Sequence, residues 1–259
     1  MEKSFKFVGL MLMAVMSIGF ISCGSDDDDN EPSISVTPSS VVMHFDETKQ
    51  LNVKGTTATS WTVEDDFIAS VEQTGLVNGR HVGSTKIRVS DGKKSAFCDV
   101  TITPKYSLID TPILNWGTSK SSVESSETHS SLSSSSSDYL MYDYTLGSTA
   151  CIIMYGFENN KLETVMAVLN RSLFVTAGYY LMERYQPVYV GDDDQYLFID
   201  AMTEPKAKTV VMLSFQKIDG SNVTAILYTD KNKLSSTPAM MKSPEIPKVM
   251  FEQIKNILK

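Results

Sequence analysis

Positions 20–29 read FISCGSDDDD, a single cysteine between an apolar run and four consecutive aspartates. Asp26, Asp27, Asp28 and Asp29 must stay solvated, because a block of like charge cannot bury itself. The other chemistry-bearing residues form no catalytic set. His44, His81 and His129 are dispersed, with no cysteine or carboxylate partner at metal-ligand spacing. A Ser-His-Asp arrangement would have to recruit His129 from a serine-rich segment. The sequence holds no G-x-S-x-G, H-E-x-x-H, P-loop or G-x-G-x-x-G pattern. Asp192, Asp193 and Asp194 read as a solvated turn. Glu158, Glu163 and Asp200 fall in or near strand-like runs, where alternation sends them toward solvent. No enzyme activity, metal or cofactor is expected. Aromatics are the more telling residues. Tyr142, Tyr155, Tyr196 and Tyr228 are the candidate ligand-binding positions in a tyrosine-rich C-terminal segment. Tyrosine is amphipathic, so a tyrosine-lined sheet face would suit a glycan or a protein ligand. The competing reading is that these rings fill the core.

The elements that position such residues need a core, and the composition allows one. The chain has 259 residues, 42% of them hydrophobic, enough for one large or two modest domains. Its formal net charge is −8, and no Lys/Arg cluster follows the first residues. That argues against nucleic acid as a partner, since phosphate neutralisation needs a concentrated positive face. The three cysteines are too few for a disulfide scaffold. Cys98 and Cys151 stand in apolar, strand-like contexts and read as buried thiols. A disulfide joining them is the alternative, which only geometry can decide.

The N-terminus is a processing segment. Lys3 and Lys6 precede the apolar run Phe7 to Ile21, too short for a bilayer-spanning helix and suited to a secretory signal. The stretch FISC resembles the lipobox of bacterial lipoproteins, with Phe20 where that family prefers leucine. The resemblance implies cleavage before Cys23 and acylation of its thiol and amino group. Several acyl chains anchor stably where a single chain does not. The aspartates that follow resemble the Bacteroidota-type lipoprotein export signal. That implies a lipid anchor in the outer membrane and a body facing the cell exterior. The same aspartates also make a solvated tether. Without residues 1–22 the chain keeps 21 basic and 30 acidic residues, a net charge of −9. Such a body is held off an anionic membrane, not drawn to it.

From Ile34 the pattern becomes short alternating runs (ISVTP, QLNVKG, SWTVED, TKIRVSD, AFCDVTITP) separated by Gly-rich turns, which predicts a β-sandwich. The segment SVEQTGLVNG at 70–79, followed by VGSTKIRV at 82–89, resembles the bacterial Ig-like group 2 family over residues 33–104. Gly75 and Gly79 are expected to supply positive φ in tight turns. Val71, Leu76, Val77, Ile87 and Val89 are expected between the sheets. Trp61 is read as a core residue, with a sugar-stacking platform as the alternative.

Pro104 to Trp116 reads as a linker and entry segment. Residues 118–137 contain 12 serines in 20 positions and are low in complexity, yet Val123 and Glu127, with Ser121 or Ser122 as a cap, leave room for a short helix. Strand-like runs follow at DYLMYDYT, ACIIMYGFE and KLETVMAVL, with Asn159-Asn160 as one turn. Residues 172–185 carry Leu173, Ala177, Tyr180, Leu181 and Arg184 at helical spacing. Three further strands, QYLFIDA, TVVMLSFQK and NVTAILYTD, complete the set. The predicted order is α-β-β-β twice over, a tandem repeat giving an antiparallel sheet with helices on one face. This element order loosely resembles the tandem-repeat β-lactamase-inhibitor-like proteins, and it resembles uncharacterised C-terminal domains of gut-commensal surface lipoproteins. The tail PEIPKVMFEQIKNILK places Val249, Ile254, Ile257 and Leu258 on one helical face, to dock on the body or to serve a partner.

The expected protein is therefore multi-domain: a signal peptide at 1–22, an acylated acidic tether at 23–32, an all-β Ig-like sandwich at 33–104, an α+β domain at 105–234 and a linker with a C-terminal helix at 235–259. The expected role is a non-enzymatic binding or adhesion protein, with the Ig-like module spacing a ligand-binding domain from the outer membrane. A structural subunit of an envelope complex, or an enzyme inhibitor, is the alternative.

Overall fold

The computed structural model describes residues 33–57, 60–128, 131–146, 149–190, 195–218 and 221–233. The signal peptide, Cys23, the aspartate run, His129, Asp192 to Asp194 and the C-terminal helix lie outside the described residues.

Nine short strands build the first part: β1 (Ser35–Thr37), β2 (Ser40–His44), β3 (Thr48–Gln50), β4 (Asn52–Lys54), β5 (Ser60–Val63), β6 (Ala69–Val71), β7 (Leu76–Gly79), β8 (Gly83–Ser90) and β9 (Ser95–Thr103). One sheet has the order β2-β9-β8-β5, a second β3-β7-β6, and β1 pairs with β4. β2 runs parallel to β9, and the other pairs are antiparallel. Period-two alternation sends Val77, Ile87, Val89, Cys98, Val100 and Ile102 inward, all essentially without exposure. Trp61 joins them at 4% exposure, so its indole is core and not a platform. Val71 and Leu76 sit at the margin, partly exposed. Burying each aliphatic side chain contributes roughly 1.5–3 kcal/mol.

The two signature glycines serve different needs. Gly75 has φ +84°, and a Cβ there would lie 2.7 Å from the Leu51 carbonyl oxygen. Gly79 does not adopt positive φ, contrary to expectation. It sits within β7, where a Cβ would come within 2.9 Å of the His44 carbonyl oxygen. Close approach of backbones, not turn geometry, demands glycine at that position.

The second part is an eight-stranded antiparallel sheet with two short helices. α1 (Lys120–Ser126) precedes β10 (Ser131–Ser135), β11 (Tyr139–Leu146), β12 (Thr149–Glu158) and β13 (Lys161–Asn170). α2 (Phe174–Met182) precedes β14 (Gln186–Val190), β15 (Tyr196–Ile199), β16 (Thr209–Ile218) and β17 (Ser221–Asp230). The sheet order is β10-β11-β12-β13-β17-β16-β15-β14, so two four-strand meanders meet at the central β13–β17 pair. Each helix is thus followed by four strands, not the three predicted. The unpredicted strands are the two edges, β10 and β14. β10 reads SLSSS and exposes four of its five side chains, so it shows no apolar alternation; beyond the backbone pairing, Ser133 Oγ donates to the Met141 carbonyl at 3.2 Å and Ser134 Oγ lies 2.9 Å from the Tyr139 hydroxyl. β14 contains Pro187, tolerated at an edge beside a register shift.

Local signals account for the helices. Ser119, not Ser121 or Ser122, caps α1, its Oγ accepting from the Ser122 N–H at 3.3 Å. Asn170 caps a 3₁₀ turn at Arg171–Leu173 that leads into α2. Val123 of α1 and Ala177, Tyr180 and Leu181 of α2 are buried on the same face of the sheet. Asn159 and Asn160, at φ +50° and +62°, form the tight β12–β13 turn.

The segment 104–116 packs on the sheet that it enters. Leu108 and Ile109 are buried with the helix-side core, and the Asp110 N–H donates to the Tyr144 hydroxyl at 2.8 Å. The sandwich and the sheet fall in one compact unit. They join at Glu183, which is 1% exposed. Its carboxylate accepts from the Lys105 and Tyr106 N–H groups at 2.8 and 3.1 Å, and its carbonyl accepts from the Val82 N–H at 2.7 Å. Cys98 and Cys151 are buried free thiols, so no disulfide ties the two parts. Burial pushes the Cys151 thiol up to about 12.

Candidate functional site

The register of the large sheet decides the fate of the candidate tyrosines. One cross-strand row runs Leu140, Tyr155, Val165, Tyr228, Val211, Phe198. All six face the helices, and Tyr155 and Tyr228 are wholly buried. Tyr142 is 3% exposed and meets Tyr155 edge-on, with ring centroids 5.9 Å apart. The Tyr155 hydroxyl donates to the Glu127 carboxylate at 2.6 Å, linking α1 to the sheet. The Tyr142 and Tyr228 hydroxyls are buried and have no hydrogen-bond partner among the described residues. Burial raises the pKa of all three phenols. These three rings therefore do not form an open tyrosine face. The helices cover the side on which the strands present them.

Tyr196 lies elsewhere. It lines an apolar groove of about 430 Å³ between α2 and the β14–β15 edge, together with Phe174, Tyr179, Met182 and Pro187. Phe174 stacks on Phe215 with centroids 3.9 Å apart, and Tyr179 stacks on Tyr106 at 5.0 Å. Val175, Tyr179, Met182 and Val188 are exposed around this groove.

A larger cleft, about 600 Å³, opens where β15, β16 and β17 meet the segment ahead of α1. Trp116 and Tyr185 supply its aromatic surface, and Asn115, Asp200, Lys208, Asp230 and Asn232 its polar groups. The backbone holds several of these in place. The Trp116 indole N–H donates to Thr209 Oγ1 at 3.1 Å. Asp200 Oδ1 accepts from the Lys208 and Thr209 N–H groups at 2.7 and 3.0 Å. Asp230 Oδ1 accepts from the Asn232 N–H at 2.9 Å and its side-chain amide at 3.1 Å. Asp200 was read as solvent-facing. It is half-buried, and its carboxylate fastens the cleft wall. Trp116 and the Asn-Asp pair carried no spacing signal, because three separate segments bring them together.

Chemically, the cleft offers one indole, two carboxylates that accept, and amide and ammonium groups that donate. That set matches a ligand rich in hydroxyls with one apolar face. Among the described residues there is no group of three or more side chains suited to hold a metal ion, and no helix long and apolar enough to cross a membrane. His44 and His81 lie in the sandwich, and the His81 ring also hydrogen-bonds the backbone of Tyr185 in the second part. His81 Nδ1 is 2.7 Å from the Phe67 carbonyl oxygen, and His44 Nδ1 is 3.0 Å from that of Thr103.

Comparison with curated proteins finds no match. Among solved structures, domains 5–6 of the S-layer protein SbsC align at 16% identity and TM-score 0.24, covering 76% of this chain and 83% of that one. Domains 4–9 of the surface layer protein SbsC align at 17% identity and TM-score 0.23, covering 77% of this chain and 27% of the other. Neither likeness is close enough to carry an argument about fold or role. The sequence of the sandwich is more specific: residues 32–101 match the bacterial Ig-like domain (group 2).

Proposed function

We propose that this is a lipid-anchored, non-enzymatic binding protein of the bacterial outer surface, with a carbohydrate as its ligand in the Trp116 cleft. Cys23 carries the anchor, and Asp26 to Asp29 serve as export signal and tether. The Ig-like sandwich acts as the spacer. The observation that carries the reading is the cleft itself. An indole lies beside carboxylates and amides already fixed by backbone hydrogen bonds, so little is lost in ordering them around a sugar. The hydrogen-bonded junction at Glu183 supports a spacer role for the sandwich.

The test is a glycan-array screen of the mature chain with Cys23→Ser, followed by titration of the hits. Saturable binding is expected. Trp116→Ala and Asp230→Asn should each weaken it at least tenfold while the thermal unfolding profile stays cooperative. An array without hits, or hits indifferent to both substitutions, would refute the cleft as a glycan site. Hydrolytic turnover of a bound glycan would refute the non-enzymatic reading.

A second reading has its own observation. The exposed apolar groove at α2 and the β14 edge suits a protein partner, as a structural subunit of an envelope complex would need. Crosslinking in intact cells through Tyr179, with a Tyr179→Ala control, separates the two.

A further inference from the structure

The groove beside α2 has an exposed rim, which the second reading gives to a protein partner, and a floor that suits something else. On the helix, Phe174, Gly178 and Met182 recur every four residues and line it as one stripe, about 12 Å long. Phe198 on β15 and Leu213 on β16 line it from the sheet, and Pro187 lines it from the β14 edge. The space of about 430 Å³ thus runs along the helix. Among the described residues of this lining, the hydroxyls of Tyr179 and Tyr196 are the only side-chain oxygen or nitrogen atoms. Pro187 has no N–H to offer. A sugar would find little there to bond its hydroxyls. A peptide laid along the floor would set its own amides against carbon. An alkyl chain makes no such demand.

Gly178 points the same way. It lies in the middle of α2, where glycine weakens a helix relative to alanine. Packing does not require it. A Cβ at that position would meet Leu213 Cδ2 at 3.8 Å, an ordinary contact, and its backbone is not left-handed. A longer side chain at 178 would enter the groove that Gly178 and Leu213 both line. The glycine therefore keeps open a space that α2 itself does not fill.

Charge adds a third observation. Arg171, just ahead of α2, is exposed, and its guanidinium carbon lies 5.3 Å from the centre of the Phe215 ring. That ring stacks on Phe174, the first residue of the stripe. The guanidinium has no carboxylate partner among the described residues. A cation at one end of an apolar slot complements an anion at the end of an alkyl chain. We infer that this groove binds a long-chain carboxylate, its alkyl chain along the Phe174, Gly178 and Met182 stripe and its carboxylate at Arg171.

Isothermal titration of the mature chain with Cys23→Ser, free of acyl groups of its own, tests this. The probes are decanoate, dodecanoate and tetradecanoate, each below its micelle concentration. Saturable binding is expected, tightening about tenfold for each pair of methylenes, as their transfer out of water requires. Gly178→Leu should fill the floor and weaken dodecanoate at least tenfold, in a helix that leucine strengthens. If that variant unfolds without cooperativity, Gly178→Ala takes its place, with a several-fold loss expected. Arg171→Gln should weaken dodecanoate several-fold and leave the neutral alcohol of the same length unchanged. Affinity indifferent to chain length, or equal in the parent and the Gly178 variant, would overturn the inference. Equal loss of acid and alcohol in Arg171→Gln would overturn the placement of the carboxylate. Absence of saturable binding would overturn the whole proposal and leave the groove to a protein partner.

Discussion

Glu183 and His81 show how single buried polar groups hold the two parts of the molecule together. Glu183 is almost wholly enclosed, and its carboxylate takes two backbone N–H groups at the start of the connecting segment while pairing with Arg184. Charge-assisted bonds of this kind are worth about 1.5–3 kcal/mol, and removing one side strands the other. Glu183→Ala should therefore lower the unfolding free energy by roughly 2–4 kcal/mol in urea titration. It should also make the junction sensitive to proteolysis near Lys105. His81, stacked 4.0 Å from Phe67, is held below its ordinary pKa chiefly by burial. Its neutral form is the one that folds. The unfolded chain takes up a proton below about pH 6.5 that the folded chain refuses, so stability falls as pH drops from there toward the folded pKa. The expected limiting slope is about 1.4 kcal/mol per pH unit. Urea midpoints at pH 7.5 and 5.5 should diverge for the parent and draw together for His81→Gln. A parent flat across that range would show that His81 titrates as in water.

At the level of elements, the strands of the large sheet with strong alternation were legible within a residue or two, because half-buried strands write their burial into the sequence. The edges were not. The serines of β10 carry no apolar period, and two of them, Ser133 and Ser134, bond to β11 through their hydroxyls. β14 was masked by Pro187, a residue that argues against a central strand and is tolerated at an edge. The β12–β13 turn was legible, because two asparagines accept left-handed backbone more readily than other non-glycine residues. Asn160→Val should cost about 1–2 kcal/mol, since a β-branched side chain is strained there. Asn160→Gly should be close to neutral. Thermal unfolding of the two variants checks the turn, and equal effects would count against it.

On the scale of the whole molecule, the proposed anchor at Cys23 and the proposed acidic tether each have a direct test. Cys23→Ser should abolish incorporation of labelled fatty acid and release the protein from membranes. Replacing Asp26 to Asp29 by alanine should retain the lipid but leave the protein protected from proteinase added to intact cells. Surface exposure that survives the alanine replacement would show that the aspartates are a tether only.

Taken alone, the sequence determined what depends on neighbours along the chain. The signal-like N-terminus, the alternating strands, the helices at Val123 and Ala177, and the glycine pattern of the sandwich all follow from local spacing. Tertiary structure alone decided which sheet face each strand residue meets. A tyrosine at a strand position reads the same whether helices or water lie above it, so Tyr155 and Tyr228 could be placed under the helices only by the register across β12, β13 and β17. The Trp116 cleft was likewise invisible beforehand. Its indole, Asp200 and Asp230 stand in segments far apart in the chain, and only the pairing of β16 with β15 and β17 brings them to one rim.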